Sequence, residues 1–232
     1  MQQRDQDNGA VKRRRKKLEP DPAVRAGMLD AGVDVVREHG VAALNLIEVL
    51  TRTNLSTRAF YRHFESMDHL IQAVFLHLAR SETLRLRTRM AAATNPVEAV
   101  SCWMDARLDL AFDEPNTSGL RHFSREAQSL MFATPDKVSA AFAEMLQPLI
   151  EQLERGLDAK LFHDIDPAAE AESIHGVVWA CTHRHWNAGN RSGADVRRRV
   201  KQFCLRGLGV PHDVMTSLLG DDPGQPDQAH HT

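Results

Sequence analysis

The chain has 232 residues, 42% of them apolar and 26% charged, with a formal net charge of −2 at pH 7. That is enough apolar residue for a packed core in one medium domain or two small ones, and the near balance of charge argues against a protein that coats nucleic acid with its whole surface. Three widely spaced cysteines, Cys102, Cys181 and Cys204, form neither a disulfide framework nor a paired zinc motif, and no apolar run approaches the ~18 residues of a membrane span.

The charge is unevenly spread. Residues 1–65 hold 12 Lys/Arg against 9 Asp/Glu, and the remainder holds 17 against 22. Residues 1–20 are polar, carry six consecutive basic residues from Lys12 to Lys17 and have no apolar segment. They are expected to form a disordered basic arm and not a signal peptide. Lys12, Arg13, Arg14 and Arg15 are its candidate DNA contacts, tracking phosphates or entering a minor groove, and the plainer alternative is a solvated tail.

Asp21-Pro22 opens the first helix, a cap followed by Pro at the first helical position, and Gly40 ends it. Asn45 caps a second, short helix, with Glu48 placed to return the bond and Leu46, Val49 and Leu50 on one face. Asn54 suits a left-handed turn, and Leu55 is expected to plug that turn into the core. Ser56 caps a third helix through about Phe64, whose apolar positions Phe60 and Phe64 leave Thr57, Arg58, Tyr61, Arg62 and His63 for the other face or its flanks. Two short helices joined by a tight turn are the arrangement that lays one helix in a DNA major groove while the other braces it. Arg can bridge guanine O6 and N7, Thr can touch a thymine methyl, and Tyr can reach a phosphate. A lone amphipathic helix with this polar face would be unremarked, but the preceding capped helix and the basic arm favour the DNA reading.

Ser66 caps a fourth helix running towards Arg89 on a stripe of Leu70, Ile71, Val74, Phe75 and Leu78. Asn95-Pro96-Val97-Glu98 starts a fifth, which carries Val100, Trp103, Met104, Arg107 and Leu108. Residues 113–116 read as a loop and about 118–132 as a helix. Thr134-Pro135 is expected to start another helix to about Leu157, kinked by Pro148. Asp166-Pro167 starts the next, to about Asn187, and Ser192 caps the last, ending near Leu208-Gly209. Strand-type alternation is scarce, so the fold is expected to be all-α with about nine helices. The expected division is an arm (1–20), a head (21–65), a larger helical bundle (66–210) and a flexible tail (211–232).

Residues 24–75 resemble the DNA-binding head of the TetR family of bacterial transcriptional regulators. Met28-Leu29-Asp30-Ala31 and Val35-Val36-Arg37-Glu38-His39-Gly40 match its first helix, Asn45-Leu46-Ile47-Glu48-Val49 its second, and Ser56-Thr57-Arg58-Ala59-Phe60-Tyr61-Arg62-His63-Phe64 its recognition helix. Four positions depart from the family pattern: Leu44 and Ala59 stand where Thr is common, Asn54 where Gly is usual, and Met67 where a phosphate-binding Lys is frequent. The methyl of Ala59 could meet thymine. The resemblance implies a three-helix head followed by a ligand-binding and dimerisation bundle, and it adds Asn45 and Ser56 at phosphates to the candidate contacts Thr57, Arg58, Ala59, Tyr61, Arg62 and His63.

The rest of the chain is less specific. Trp103, Met104, Phe112, Phe123, Met131, Phe132, Phe142, Met145 and Trp179 supply large apolar surface, and core packing is the ordinary reading of any one of them. A pocket could use Trp103, Met104, Phe123, Phe142 and Trp179 as walls, with His175, His183 or His185 as the polar group that orients a ligand. Cys181, His183 and His185 diverge by about 200° per pair on a helix, so they do not converge on one metal ion. No catalytic motif is present in the sequence, and no cofactor is implied. Val177, Val178, Trp179, Cys181 and His185, with Val200, Phe203, Cys204 and Leu208, are candidates for a dimer interface.

Together these features predict a cytoplasmic, non-enzymatic, homodimeric transcriptional regulator of the TetR type, most often a repressor. It is expected to bind a palindromic operator in double-stranded DNA and to be released by a small, partly apolar effector, with no membrane or metal partner. The alternative is a ligand-independent DNA-binding or protein-interaction module on the same scaffold.

Overall fold

The computed structural model describes residues 20–112, 126, 129–130, 134–188 and 192–220. Nine α-helices and no strand occur among them: α1 (Pro22–His39), α2 (Leu46–Thr53), α3 (Thr57–His63), α4 (Met67–Met90), α5 (Pro96–Phe112), α6 (Ser139–Asp158), α7 (Pro167–Ala188), α8 (Gly193–Gly207) and α9 (His212–Leu219). The basic arm with Lys12, Arg13, Arg14 and Arg15 lies outside the described residues, as do Phe123, Met131, Phe132 and most of the helix expected at 118–132.

Local chemistry sets the head. Asn45 Oδ1 accepts from the Glu48 N–H at 3.0 Å and opens α2. Asn54 closes it at φ 52, ψ 39, where its own N–H returns to the carbonyls of Leu50 and Thr51. Ser56 Oγ accepts from the Ala59 N–H at 3.3 Å and starts α3 only three residues later. The three helices and the first half of α4 bury one cluster built on Met28, Val36, Val49, Phe60, Phe64, Leu70 and Val74. Phe60 and Phe64 are essentially inaccessible and together contribute roughly 4 kcal/mol of apolar burial. A Cβ on Gly32 would come within 2.8 Å of Val74 Cγ2, so the absence of a side chain there lets α1 and α4 approach.

The second half of α4 belongs to a larger core. Leu86 and Met90 join Trp103, Met104, Leu149, Leu153, Ile174, Val200 and Leu205 from α5 to α8. Pro148 sits inside α6. Having no N–H, it leaves the carbonyl four residues back without its helical partner. That carbonyl, on Glu144, accepts from Thr83 Oγ1 of α4 at 2.9 Å. The break in one helix is thus repaired by its neighbour.

Between the two cores lies a junction of Phe75, Ala79, Val138 and Ala141, flanked by Val41, Ile71, Leu130 and Phe142. The Val41 N–H donates to Glu126 Oε2 at 2.6 Å, and Lys137 Nζ lies 2.6 Å from Asp68 Oδ1.

Three expectations are corrected. The helix expected from Pro135 opens as a separate 3-10 turn, Pro135–Lys137, and α6 begins only at Ser139, because Val138 at φ −128, ψ −10 is not helical. Ser192 makes no side-chain cap bond to α8. Residues 212–219 are not a flexible tail: they form α9, anchored by Met215, which is 5% exposed in the larger core.

Candidate nucleic-acid interface and a buried polar stripe

The third helix is held from within by Phe60 and Phe64 and presents Thr57, Arg58, Tyr61 and Arg62 to solvent, Tyr61 at 56% exposure. Its cations are set apart from the others around it. Arg52 is clamped by Glu38 through two hydrogen bonds (3.2 and 2.7 Å) and by Glu48 through a third at 2.9 Å. The hydrogen bond from Arg52 also holds the Glu38 carboxyl below its ordinary range. Arg25 lies over the Phe64 ring, 4.8 Å from its centroid. Arg58 and Arg62 have no hydrogen-bond or ion-pair partner among the described residues and stand ready for an external anion or base edge.

The other head candidates divide. Ser56 Oγ is used as an acceptor by the Ala59 N–H, which leaves its hydroxyl hydrogen for a phosphate. Asn45 spends its carbonyl on Glu48 and one amide hydrogen on the Ala43 carbonyl at 3.0 Å. Ala59 is half-buried against the head core. His63 departs from expectation. It is 8% exposed with Nδ1 unbonded, because a residue three positions after Phe60 shares the side of Phe60. It therefore does not share the exposed face of Arg58 and Arg62. Ile47 was passed over in the sequence, yet it is 77% exposed beside the cap of α2. Its signal was visible, an apolar residue off the stripe of Leu46, Val49 and Leu50.

In the larger core, Trp103, His175 and Phe142 come together. The imidazole of His175 meets Trp103 at 6.4 Å and Phe142 at 5.4 Å between ring centroids, both edge to face. Further along the same two helices, Phe112 meets His185 at 4.3 Å. Since 103 pairs with 175 and 112 with 185, α5 and α7 run in the same direction along this contact. Met104 is fully buried, whereas Trp179 is half-buried with its ring 5.8 Å from that of exposed His183.

This contact holds polar atoms without partners. Trp103 Nε1, both ring nitrogens of His175, Arg107 Nε, Thr182 Oγ1 and His185 Nδ1 are buried and have no hydrogen-bond partner among the described residues. Burial, then the charge of Arg107, brings the His175 imidazole down to about 3, so it is neutral. Arg107 is buried with Nη1 3.0 Å from Glu82 Oε1, and Arg85 grips the same carboxylate through two bonds of 2.8 Å. Burial pushes the Glu82 carboxyl up, but the two arginines outweigh it and hold it below its ordinary range. Sequence reasoning missed Arg107 and Thr182 as site residues, although a charged residue four positions after Trp103 on an apolar helix was legible.

Four residues read as dimer contacts, Val178, Val200, Cys204 and Leu208, are consumed by the core of their own chain. Phe203 remains 64% exposed, and Val177, Trp179 and Cys181 are half-buried. Among the described residues, no three metal-binding side chains cluster, and no helix is long and apolar enough to cross a membrane.

Comparison with known proteins follows this division. Residues 28–74 match the model of bacterial regulatory proteins of the tetR family. Solved structures similar in fold include RolR in complex with resorcinol, with 16% identity over 86% of this chain and 94% of that one at a TM-score of 0.64. A TetR-family transcriptional regulator from Cytophaga hutchinsonii has 20% identity over 83% and 98% at a TM-score of 0.59. A regulator from Saccharomonospora viridis, solved with choline, has 12% identity over 79% and 96% at a TM-score of 0.58. No curated protein matches the sequence.

Proposed function

We propose, from the match of residues 28–74 to the model of bacterial regulatory proteins of the tetR family, that the protein is a homodimeric transcriptional regulator, acting as a repressor, that binds a palindromic operator through α3. The observation that carries this reading is the state of Arg58 and Arg62. They are exposed on a helix fixed by Phe60 and Phe64 and lack internal partners among the described residues, while nearby Arg52 is neutralised. Thr57 and Tyr61 complete the contact face, and Ser56 reaches a phosphate. A seven-residue helix offers few base contacts, so two symmetric heads one helical turn apart supply the affinity. The exposed Phe203 with the outer side of α7 supplies a surface for that pairing.

A small, partly apolar effector in the larger core completes the reading. RolR was solved with resorcinol and the Saccharomonospora viridis regulator with choline, which supports small-molecule binding on this fold without choosing between a neutral and a cationic ligand. Such a ligand releases DNA only to the extent that it binds one head spacing better than the other. The α4 helix, shared between the two cores, is the lever.

The test is a footprint and gel-shift titration of Arg58→Ala/Arg62→Ala. Each lost bidentate base contact costs about 2 kcal/mol, so specific affinity falls a hundredfold or more. Unchanged affinity at the same site would contradict the assignment of α3.

A further inference from the structure

Resting on the effector reading above, we propose that the effector is an uncharged, hydroxyl-bearing aromatic molecule seated between α5 and α7 on Trp103, His175 and Thr182. Buried polar atoms in native proteins are almost always bonded, and a cluster that is not points to a missing guest or to water. Trp103 Nε1 and the His175 imidazole meet between α5 and α7, and Thr182 Oγ1 lies about 10 Å further along α7. Trp103 is fully buried, Thr182 is 3% exposed and His175 is 9% exposed. His175 and Thr182 lie seven positions apart, two turns along one face of α7.

Their chemistry describes the guest. The Trp103 indole can only donate, so it requires an acceptor. A neutral imidazole offers one donor and one acceptor, and Thr182 offers both. A hydroxyl group answers each of these, whereas an ether or a hydrocarbon does not. The rings of Trp103 and Phe142, set edge-on to the imidazole, provide flat walls for an aromatic body.

Charge decides the rest. The one ion among these atoms, Arg107, is already matched by Glu82 at 3.0 Å. An anion would have to break that pair inside the core, and a cation would be buried beside Arg107 with no counter-ion of its own. A neutral guest avoids both costs.

The experiment uses the full chain and tryptophan fluorescence with calorimetry. The probes are phenol and the three dihydroxybenzenes, with benzoate and benzyltrimethylammonium as charged counterparts of similar size. At least one of the phenols is expected to saturate and to release DNA. Thr182→Val at nearly constant volume and His175→Phe with a somewhat larger ring each remove hydrogen bonds and should weaken that phenol about tenfold, while operator binding without phenol stays dependent on Arg58 and Arg62. Should either variant fold poorly, Trp103→Phe provides the same comparison at the indole N–H. The proposal is overturned if benzoate or the ammonium saturates and the phenols do not, if the variants bind phenols as tightly as the parent, or if no probe saturates. Operator binding that stays dependent on Arg58 and Arg62 through such a failure would show that the effector class is wrong while the regulator reading stands.

Discussion

Phe142 and His175 meet edge to face, with ring centroids 5.4 Å apart and planes at 70°. Phe142 also packs into the junction of Phe75, Val138 and Ala141, which takes in Val41 of the head. One side chain therefore touches both the buried polar stripe and the seam on which the head rests. A guest that moves the imidazole has a contiguous set of packed side chains through which to bias the seam.

Phe142→Leu is expected to keep operator affinity within a few-fold of the parent while weakening the effector, since the ring is also a wall of its site. The DNA-release midpoint should move by about threefold or more beyond that change in effector affinity, because the coupling is altered as well as the site. Gel shifts across an effector titration, beside direct binding, separate the two quantities. Equal shifts in both would remove Phe142 from the route.

The neutral His175 makes stability depend on pH. Its folded value is about 3, and in the unfolded chain a histidine titrates near 6.5. Between those values the unfolded chain holds a proton that the native state refuses, so native stability rises with pH through the window and is lost as pH falls. His175→Phe removes that contribution, and its stability relative to the parent should improve by roughly 2 kcal/mol on going from pH 7 to pH 5. Urea unfolding at the two pH values measures this, and a constant difference would mean that His175 is charged or hydrated in the native state.

Glu82 balances two arginines inside the protein. Because its folded value is depressed, its contribution is present above the ordinary carboxylate range and disappears as pH drops through the lowered folded value. Glu82→Gln leaves Arg107 buried without a counter-charge and should cost about 3 to 5 kcal/mol at pH 7. Glu82→Met with Arg107→Met removes both charges and should cost much less. Denaturant midpoints decide between these outcomes, and equal losses in single and double variants would contradict the pairing argument.

For the arm, deletion of residues 1–18 is expected to leave the operator sequence unchanged and to flatten the salt dependence of binding. The slope of log affinity against log salt should fall by about 0.9 for each phosphate the arm neutralises. A gel-shift series from low to moderate salt reads this directly, and an unaltered slope would make the arm a solvated tail.

What the sequence disclosed was mostly local. Asn45, Ser56, Ser66 and Asn95 cap their helices through bonds that span three residues or fewer, and the left-handed Asn54 follows from its own side chain. The body was harder because its elements are defined by partners far along the chain. The α9 helix is hard to read because its eight residues, set between Pro211 and Gly220, carry a single buried anchor, Met215, next to a polar Pro-rich stretch. The burial of His63 is not legible in the sequence because a seven-residue helix shows too little of its period to tell flank from face. The stripe of Trp103, Arg107, His175 and Thr182 is invisible in one dimension, since nothing in either helix announces that α5 and α7 lie side by side.

The most direct test of the central claim is selection of bound duplexes from a random pool by the full chain, repeated with Arg58→Ala/Arg62→Ala. The account predicts that the parent enriches an inverted repeat with half-site centres about one helical turn apart, and that the variant enriches nothing. A non-repeated site, no enrichment by the parent, or the same repeat recovered by the variant would contradict it.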